Sequence, residues 1–266
     1  MMKYCTSYYQ PENIRAKVDE IRFPIQNLTV ALTYANNHSD KRIIVEIASL
    51  TAPKIPSVEK LSRLQEETPN LTYDFFELQD LAKYNKSTNC GRSYMYHYPA
   101  VTWAMIQILM YHKVSDIYIG EPLVFDLNSI SKYVKENGIK IRVCPHKVKN
   151  EFTKEIESDL GIRHFFVLPQ DADAYGNYID VFELLDRNIV REEALVRTYT
   201  TKEPYTHSLD YLIENIGIEL NCALVDDRWI TRRLNCQQKC LKSPKECDFC
   251  YRHMRMLEAV KNMRES

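Results

Sequence analysis

The stretch VSDIYIGEPLVFDLNSISKYVKENGIKIRVCPH, residues 114–146, decides the fold class of this chain. Its apolar pattern predicts a strand over residues 115–122, an amphipathic helix over 128–137 and a second strand over 139–146. Gly138 stands just past the predicted helix, where glycine is the preferred residue. Two neighbouring strands joined through a helix run parallel. The stretch therefore predicts an α/β protein with a mainly parallel sheet.

Apolar runs of the same kind recur along the whole chain. They are rich in β-branched and aromatic side chains, and they predict eight strands, at residues 28–35, 42–49, 71–78, 115–122, 139–146, 163–170, 179–185 and 219–227. Helical patterns separate most of them, with Ser57 as the N-cap of one helix and Pro99 in the first turn of another. Two more helices are predicted over residues 149–160 and 205–216.

The number of strands favours a closed barrel, because about 200 residues of alternating strands and helices suffice for eight (β/α) units. The connection at 36–41, NNHSDK, is too short for a helix, so we expect an irregular barrel or an antiparallel first pair. An open doubly wound sheet is the competing architecture, although the chain has no GxGxxG or GxxxxGK[ST] motif. We expect residues 1–227 to form an irregular (β/α) barrel-like domain and residues 228–266 a small C-terminal module.

Four cysteines mark that module as a metal-binding tail. Cys236, Cys240, Cys247 and Cys250 follow a C-x3-C-x6-C-x2-C spacing, which lets short chelate loops close on one centre. An all-cysteine set is typical of structural zinc, and four-iron four-sulfur clusters use the same ligands. The sequence therefore predicts zinc or, alternatively, such a cluster, with chance clustering or a pair of disulfides as the remaining interpretation.

Charge is distributed unevenly, although the whole chain carries only −1. Residues 228–264 hold ten lysines and arginines against three carboxylates, whereas residues 151–193 hold eleven carboxylates against four basic residues. A basic tail suits contact with nucleic-acid phosphates, and it equally suits docking on the acidic middle of its own chain. No apolar run approaches the ~20 residues of a membrane span, so we expect a cytoplasmic protein without a membrane partner.

Glutamates inside apolar strands are the main catalytic candidates. Glu46 and Glu77 interrupt two of the predicted strands, as Glu183 does a third, and Glu121 ends another. An unpaired carboxylate is costly to bury, and strand C-termini build the active site of a barrel. We therefore expect one cavity lined by the following residues: Glu46, Glu77, Glu121, Arg142, His146 and Asp171. Structural pairing of each glutamate with a basic residue is the alternative.

The segment NCGRSYMYHYPAVTW, residues 89–103, is a second candidate site. It combines Cys90, Arg92 and His97 with a run of tyrosines ahead of a predicted helix. Arginine and aromatic rings at a helix start can hold an anionic ligand or stack on bases. Simple packing of the tyrosines over a barrel mouth is the other interpretation.

Residues 114–146 also resemble the strand–helix–strand module of the collagenase-like peptidase family. The resemblance implies a (β/α) barrel followed by a cysteine-bound centre. It further implies an activity like that of the family's peptidases, or of relatives implicated in hydroxylating RNA or quinones with an iron–sulfur cluster. Two functions remain open: a metal-containing barrel enzyme acting on a polar or anionic substrate, and a non-catalytic protein that binds nucleic acid or protein through a zinc knuckle.

Overall fold

Eight parallel strands close into a barrel in the computed structural model, which describes residues 2–87, 93–120, 123–145, 167 and 169–201. Each strand pairs with the next in chain order, and the last pairs with the first. The strands are β1 Lys3–Ser7, β2 Glu20–Pro24, β3 Arg42–Ile47, β4 Leu71–Phe75, β5 Tyr94–Tyr96, β6 Asp116–Tyr118, β7 Lys140–Val143 and β8 Val181–Glu183. The closed (β/α) barrel predicted from sequence is confirmed.

Helices connect the strands around the outside of the barrel. In the described residues they are α1 Glu12–Arg15, α2 Leu28–Asn37, α3 Val58–Glu67, α4 Leu78–Ser87, α5 Trp103–Tyr111, α6 Leu127–Glu136 and α7 Ile189–Thr201. Three 3₁₀ segments accompany them, at Ile25–Asn27, Leu123–Asp126 and Pro169–Tyr175. No helix of the described residues is long and apolar enough to span a membrane.

Local signals explain several helix ends. The Ser57 hydroxyl accepts a hydrogen bond from the Lys60 backbone N–H at 3.3 Å, which confirms the predicted N-cap of α3. Gly138 follows α6 with φ of 69° and donates its N–H to the Lys135 carbonyl, as a glycine past a helix end does. The start of α5 differs from the prediction, because Thr102 rather than Pro99 precedes its first turn and caps it.

The prediction of a strand at residues 28–35 is wrong. This segment is the first part of α2, in which Ala31 and Ala35 are buried four residues apart, at helical spacing. Because the segment is the helix between β2 and β3, the short connection at 36–41 joins a helix to a strand. The alternative of an antiparallel first pair is therefore also wrong, since β3 pairs with β2 in parallel, as β2 does with β1.

Other predictions fall partly or wholly outside the described residues. Within 163–170, residues 169 and 170 belong to a 3₁₀ segment, and most of the remainder is outside. The predicted strand at 219–227 and the helices at 149–160 and 205–216 lie outside as well. The same holds for the tail with its four cysteines, so the domain boundary at residue 228 stays a prediction.

Alternation along the strands separates two environments. Residues such as Ile21, Phe23, Ile43 and Val45 face outward and join the main apolar core beneath the helices. Their sequence neighbours face the barrel interior, where a small apolar cluster of four side chains is buried apart from the main core: Cys5, Ile44, Met95 and Val181. The outward faces therefore supply most of the hydrophobic stabilisation.

Ion pairs fill much of the remaining interior. Arg42 on β3 meets Asp116 on β6 at 2.6 Å, and Arg142 on β7 meets Glu20 on β2 at 2.6 Å. Neither pair joins neighbouring strands, so both cross the inside of the barrel. The side chains of all four residues are largely buried. A buried charge needs a partner of opposite charge, because it has lost its contact with water. The network fixes the strands relative to one another and extends to the carboxyl end.

Candidate functional site

Three ionisable side chains converge at the carboxyl ends of β3, β4 and β5. Glu46 and Asp74 are register partners on β3 and β4, and His97 directly follows β5. One oxygen or nitrogen atom from each of them lies within 4.8 Å of those from the other two. The carboxyl end is where a (β/α) barrel carries its active site. This cluster, Glu46, Asp74 and His97, is called the mouth triad below.

Asp74 anchors the mouth triad. Its side chain is fully buried, and its Oδ2 accepts hydrogen bonds from Arg22 Nη1 and, at 2.9 Å, from His97 Nδ1 when that nitrogen is protonated. Its other oxygen, Oδ1, is buried and has no hydrogen-bond partner within the described part of the chain. A buried carboxylate oxygen without a partner is expensive. Within the described part of the chain, Asp74 thus has one acceptor atom that no protein group satisfies.

Arg22 supports the mouth triad from inside the barrel. Its guanidinium contacts Asp74, lies 3.4 Å from Glu46 Oε1, and pairs with Glu183 Oε1 at 2.8 Å. Glu183 Oε1 also accepts a hydrogen bond from Arg142 Nε at 2.5 Å. Burial alone would raise the pKa of Glu183, but the guanidiniums of Arg142 and Arg22 hold it well below its usual range. The mouth is therefore backed by an ionised Glu183 held between two guanidiniums.

Glu46 differs from Glu183 in its electrostatic setting. Burial raises its pKa above the usual 4.5, and the nearby charge of Asp74 adds to the effect, while Arg22 opposes it. Its side chain and that of His97 are each 25 % exposed, whereas Asp74 is 0 % exposed. Two members of the triad are therefore partly exposed to solvent at the mouth, and the third is buried and hydrogen-bonded to His97.

Aromatic rings surround His97. The Phe76 ring stacks on the imidazole with centroids 3.6 Å apart and planes inclined by 12°. Tyr98 stands edge-on to both, at 5.3 Å from His97 and 5.8 Å from Phe76, and contacts Tyr96 at 5.8 Å. These contacts fix the imidazole plane, which limits the rearrangement that a ligand must induce.

The donor set of the mouth triad fits a divalent transition-metal ion. It comprises two carboxylates and one imidazole; carboxylates suit Mn²⁺, and imidazole suits Zn²⁺ and Fe²⁺. Ligand atoms on one such ion are separated by roughly 3–4 Å, given metal–ligand bonds of about 2.1 Å. The present separations of up to 4.8 Å close to that range with small side-chain movements. The same residues can also support acid–base chemistry, with His97 oriented by Asp74.

The site residues predicted from the sequence lie in different environments in the structure. Glu46 belongs to the mouth triad. Arg142 is 0 % exposed and reaches toward the amino ends of β2 and β6, so it is part of the internal network. Glu77 lies beyond β4, which ends at Phe75, and its side chain is exposed. The predicted common cavity therefore does not gather Glu46, Glu77 and Arg142 on one surface.

The remaining predicted site residues lie wholly or partly outside the described residues. Glu121 and His146 lie outside the described residues, and so do Cys236, Cys240, Cys247 and Cys250. Asp171 is in the 3₁₀ segment Pro169–Tyr175, with its side chain outside the described part. In the second candidate segment, Cys90 and Arg92 also lie outside, whereas His97 reaches the mouth.

Sequence reasoning missed two residues of the site, Asp74 and Arg22. Asp74 lies in the run LTYDFFEL, in which the sequence pattern points to Glu77 near the end of the run. The signal was strand parity: Asp74 alternates with the outward, core-facing residues Tyr73 and Phe75 and must face the interior. Arg22 was hidden because β2 was not recognised as a strand.

Comparisons with known proteins give structural likenesses at low identity. No protein-family model matches the sequence, and the search of curated proteins gives no match. KGPDC from Streptococcus mutans is 11% identical, with a TM-score of 0.42, over 76% of this chain and 98% of that one. A glycerophosphodiester phosphodiesterase from Parabacteroides distasonis is 12% identical, with a TM-score of 0.44, over 74% and 97%.

The U32 peptidase Mk0906 is a further structural neighbour. It is 10% identical, with a TM-score of 0.44, over 71% of this chain and 94% of that one. The chain thus shows a weak structural likeness to this peptidase at low identity, without a family match. At these values the likeness has no bearing on activity, and the assignment of a barrel rests on the strand pairing itself.

Proposed function

We propose that this protein is a metal-dependent barrel enzyme that acts on a small polar or anionic substrate. In this proposal the mouth triad holds one divalent transition-metal ion. The observation that carries the proposal is the buried, unpartnered Oδ1 of Asp74 beside two further ligand atoms, within the described residues. A cation would satisfy this oxygen and would remove its desolvation cost.

Charge balance supports the same conclusion. The interior network described here contains three arginines and five carboxylates, which leaves a formal charge of −2 when His97 is neutral. The excess lies at the mouth, where burial and Asp74 together raise the pKa of Glu46. A divalent ion offsets two negative charges at the place where they are least compensated.

Arg22 is compatible with a bound cation because it engages a different oxygen of Asp74 from the one left for the ion. It contacts Oδ2 of Asp74 and leaves Oδ1 without a partner, and it lies 3.4 Å from one oxygen of Glu46. Residues that hydrogen-bond to metal ligands orient those ligands and are important for affinity. Arg22, itself fixed by Glu183, performs this role.

The chemistry follows from an ion with only three protein ligands. The remaining coordination positions accept water or a substrate oxygen, as in catalytic metal sites. The ion would polarise that oxygen or lower the pKa of a bound water. A substrate with a polar or anionic oxygen suits such a position, because that oxygen would coordinate the ion directly.

Metal binding is tested with Mn²⁺. Carboxylates bind this ion well, whereas cysteine thiolates prefer softer metals, so the four cysteines of the tail should not compete for it. The full chain, stripped of metal, should bind one Mn²⁺ at the mouth by isothermal titration. His97→Gln and Glu46→Gln should each weaken binding by at least about ten-fold. His38→Gln is the matched control, since His38 stacks on Tyr34 of α2, away from the mouth.

Catalysis needs a separate readout. The stripped and Mn²⁺-loaded proteins are compared on a panel of small carboxylic and phosphoric esters. We expect turnover that depends on Mn²⁺ and disappears in His97→Gln but persists in His38→Gln and Glu77→Gln. Equal turnover by the stripped protein, or full Mn²⁺ binding by both triad variants, contradicts the proposal.

The four-cysteine centre is a second, independent part of the proposed function. The spacing of Cys236, Cys240, Cys247 and Cys250 supports bound zinc or an iron–sulfur cluster, and the basic residues around it would suit nucleic acid. Cys247→Ser should lower the zinc or iron content of protein purified without oxygen and leave Mn²⁺ binding unchanged. Full retention of that metal in the variant rules the centre out.

A further inference from the structure

Tyr98 is the exposed aromatic ring closest in sequence to the mouth triad, directly after His97. Its side chain is 50% exposed, although its position is fixed by edge-on contacts with three other rings: Phe76, Tyr96 and His97. Exposed tyrosines are usually free to change rotamer, whereas this ring is held by three neighbouring rings. Because the side chain is half exposed, part of the ring is available to contact a ligand.

The distance from Tyr98 to the triad sets the size of a ligand that reaches both. The ring centroid lies 5.3 Å from the imidazole of His97. A ligand whose anionic group meets the ion therefore brings a ring against Tyr98 when the ring is attached directly to that group, or through one or two atoms.

We infer that the ligand of this mouth is an aromatic anion, with a planar ring close to its phosphate or carboxylate, and that the ring stacks on Tyr98. The inference rests on the proposed function, because the anionic group needs the metal. The mouth supplies the two required features in adjacent residues: His97 for the ion and Tyr98 for the ring. The braced ring loses little conformational freedom on stacking, so its contribution to affinity is retained.

The experiment uses phenyl phosphate, methyl phosphate and inorganic phosphate as probes of the Mn²⁺-loaded full chain. We expect phenyl phosphate to bind about ten-fold more tightly than methyl phosphate. Tyr98→Phe should keep this ratio, and Tyr98→Ala should reduce it to about one; the affinity for methyl phosphate is measured alongside, because Tyr98 also contacts the imidazole of His97. Tyr111→Ala is the matched control, because Tyr111 is 80% exposed on α5 and remote from the triad residues in the sequence.

Each result has a distinct meaning. Equal binding of phenyl and methyl phosphate, or an unchanged ratio in Tyr98→Ala, overturns the inference and leaves the metal site intact. The absence of phosphate binding by a protein that takes up Mn²⁺ also overturns it. A protein that binds no Mn²⁺ overturns both this inference and the proposed function.

Discussion

His97 Nδ1 lies 2.9 Å from Oδ2 of Asp74, so the residue that follows β5 is tied to a fully buried carboxylate on β4. The contact joins a solvent-facing imidazole to the internal network through a single side chain. Because Oδ2 is already engaged by Arg22 as well, Oδ1 is the atom of Asp74 left for a ligand among the described contacts. The following predictions test the network, the triad and the segment that carries it.

Glu183→Gln should destabilise the protein strongly. Glu183 is the shared partner of Arg22 and Arg142, and its loss leaves two buried guanidiniums undercompensated. Removing one partner of a buried ion pair typically costs about 3–5 kcal/mol. Urea unfolding measures the effect. Glu193→Gln on α7 is the control, since the partly exposed pair with Arg197 should contribute no more than about 1 kcal/mol; equal effects of the two variants would contradict the interpretation of the network.

The pH dependence of stability should identify Glu46. Its pKa is raised in the folded protein, so the metal-free protein has the full contribution of this group below about pH 4.5 and loses it as the pH rises through the folded-state pKa. Glu46→Gln should remove that loss, which makes the metal-free variant relatively more stable than wild type at neutral pH.

Binding of Mn²⁺ should reverse this dependence of stability on pH. The ion binds the ionised carboxylate, so loaded wild-type protein should gain stability as the pH rises from about 4.5 to 7. Unfolding curves at several pH values, with Mn²⁺ or a chelator, measure both effects. Identical pH profiles for wild type and Glu46→Gln in chelator would show that Glu46 does not carry the raised pKa.

Gly120→Ala should disturb the segment that positions His97 and Tyr98. A Cβ at residue 120 would lie 2.7 Å from Pro99 Cβ and 3.3 Å from Val101 Cγ1, so the segment must shift. Overpacking of this kind costs about 1–3 kcal/mol. Mn²⁺ affinity should fall together with stability, as titration and urea unfolding will report. Gly176→Ala is a milder control, with its nearest contact at 3.2 Å from the Asp173 carbonyl oxygen; equal losses of Mn²⁺ affinity in the two variants would count against the positioning role.

The barrel was predictable because several strands carry a continuous apolar signal. The runs that contain β3, β4, β6 and β7 were found from β-branched and aromatic residues alone. β1, β2 and β5 were missed; in β2 the charged side chains of Glu20 and Arg22 face the interior and break the apolar run. Residues 28–35 were misassigned because Thr and Val favour strands locally, while packing of Ala31 and Ala35 selected a helix.

The site was only partly predictable for a related reason. Glu46 was found as a carboxylate late in an apolar strand, and the carboxyl-end rule for barrels placed it correctly at the mouth. Asp74 and Glu77 could be separated only by knowing where β4 ends, which depends on pairing with β3 and β5. His97 was identified as a candidate, but its partnership with Asp74 joins residues 23 positions apart and appears only in three dimensions.

The most direct test of the central claim is an anomalous difference map from crystals of the full chain grown with Mn²⁺ and measured near the manganese absorption edge. The account predicts a peak bounded by Glu46, Asp74 and His97, with a ligand bond from Oδ1 of Asp74, and no such peak in crystals of His97→Gln. A map with these three side chains ordered and no anomalous peak between them would contradict the metal site and the function proposed from it.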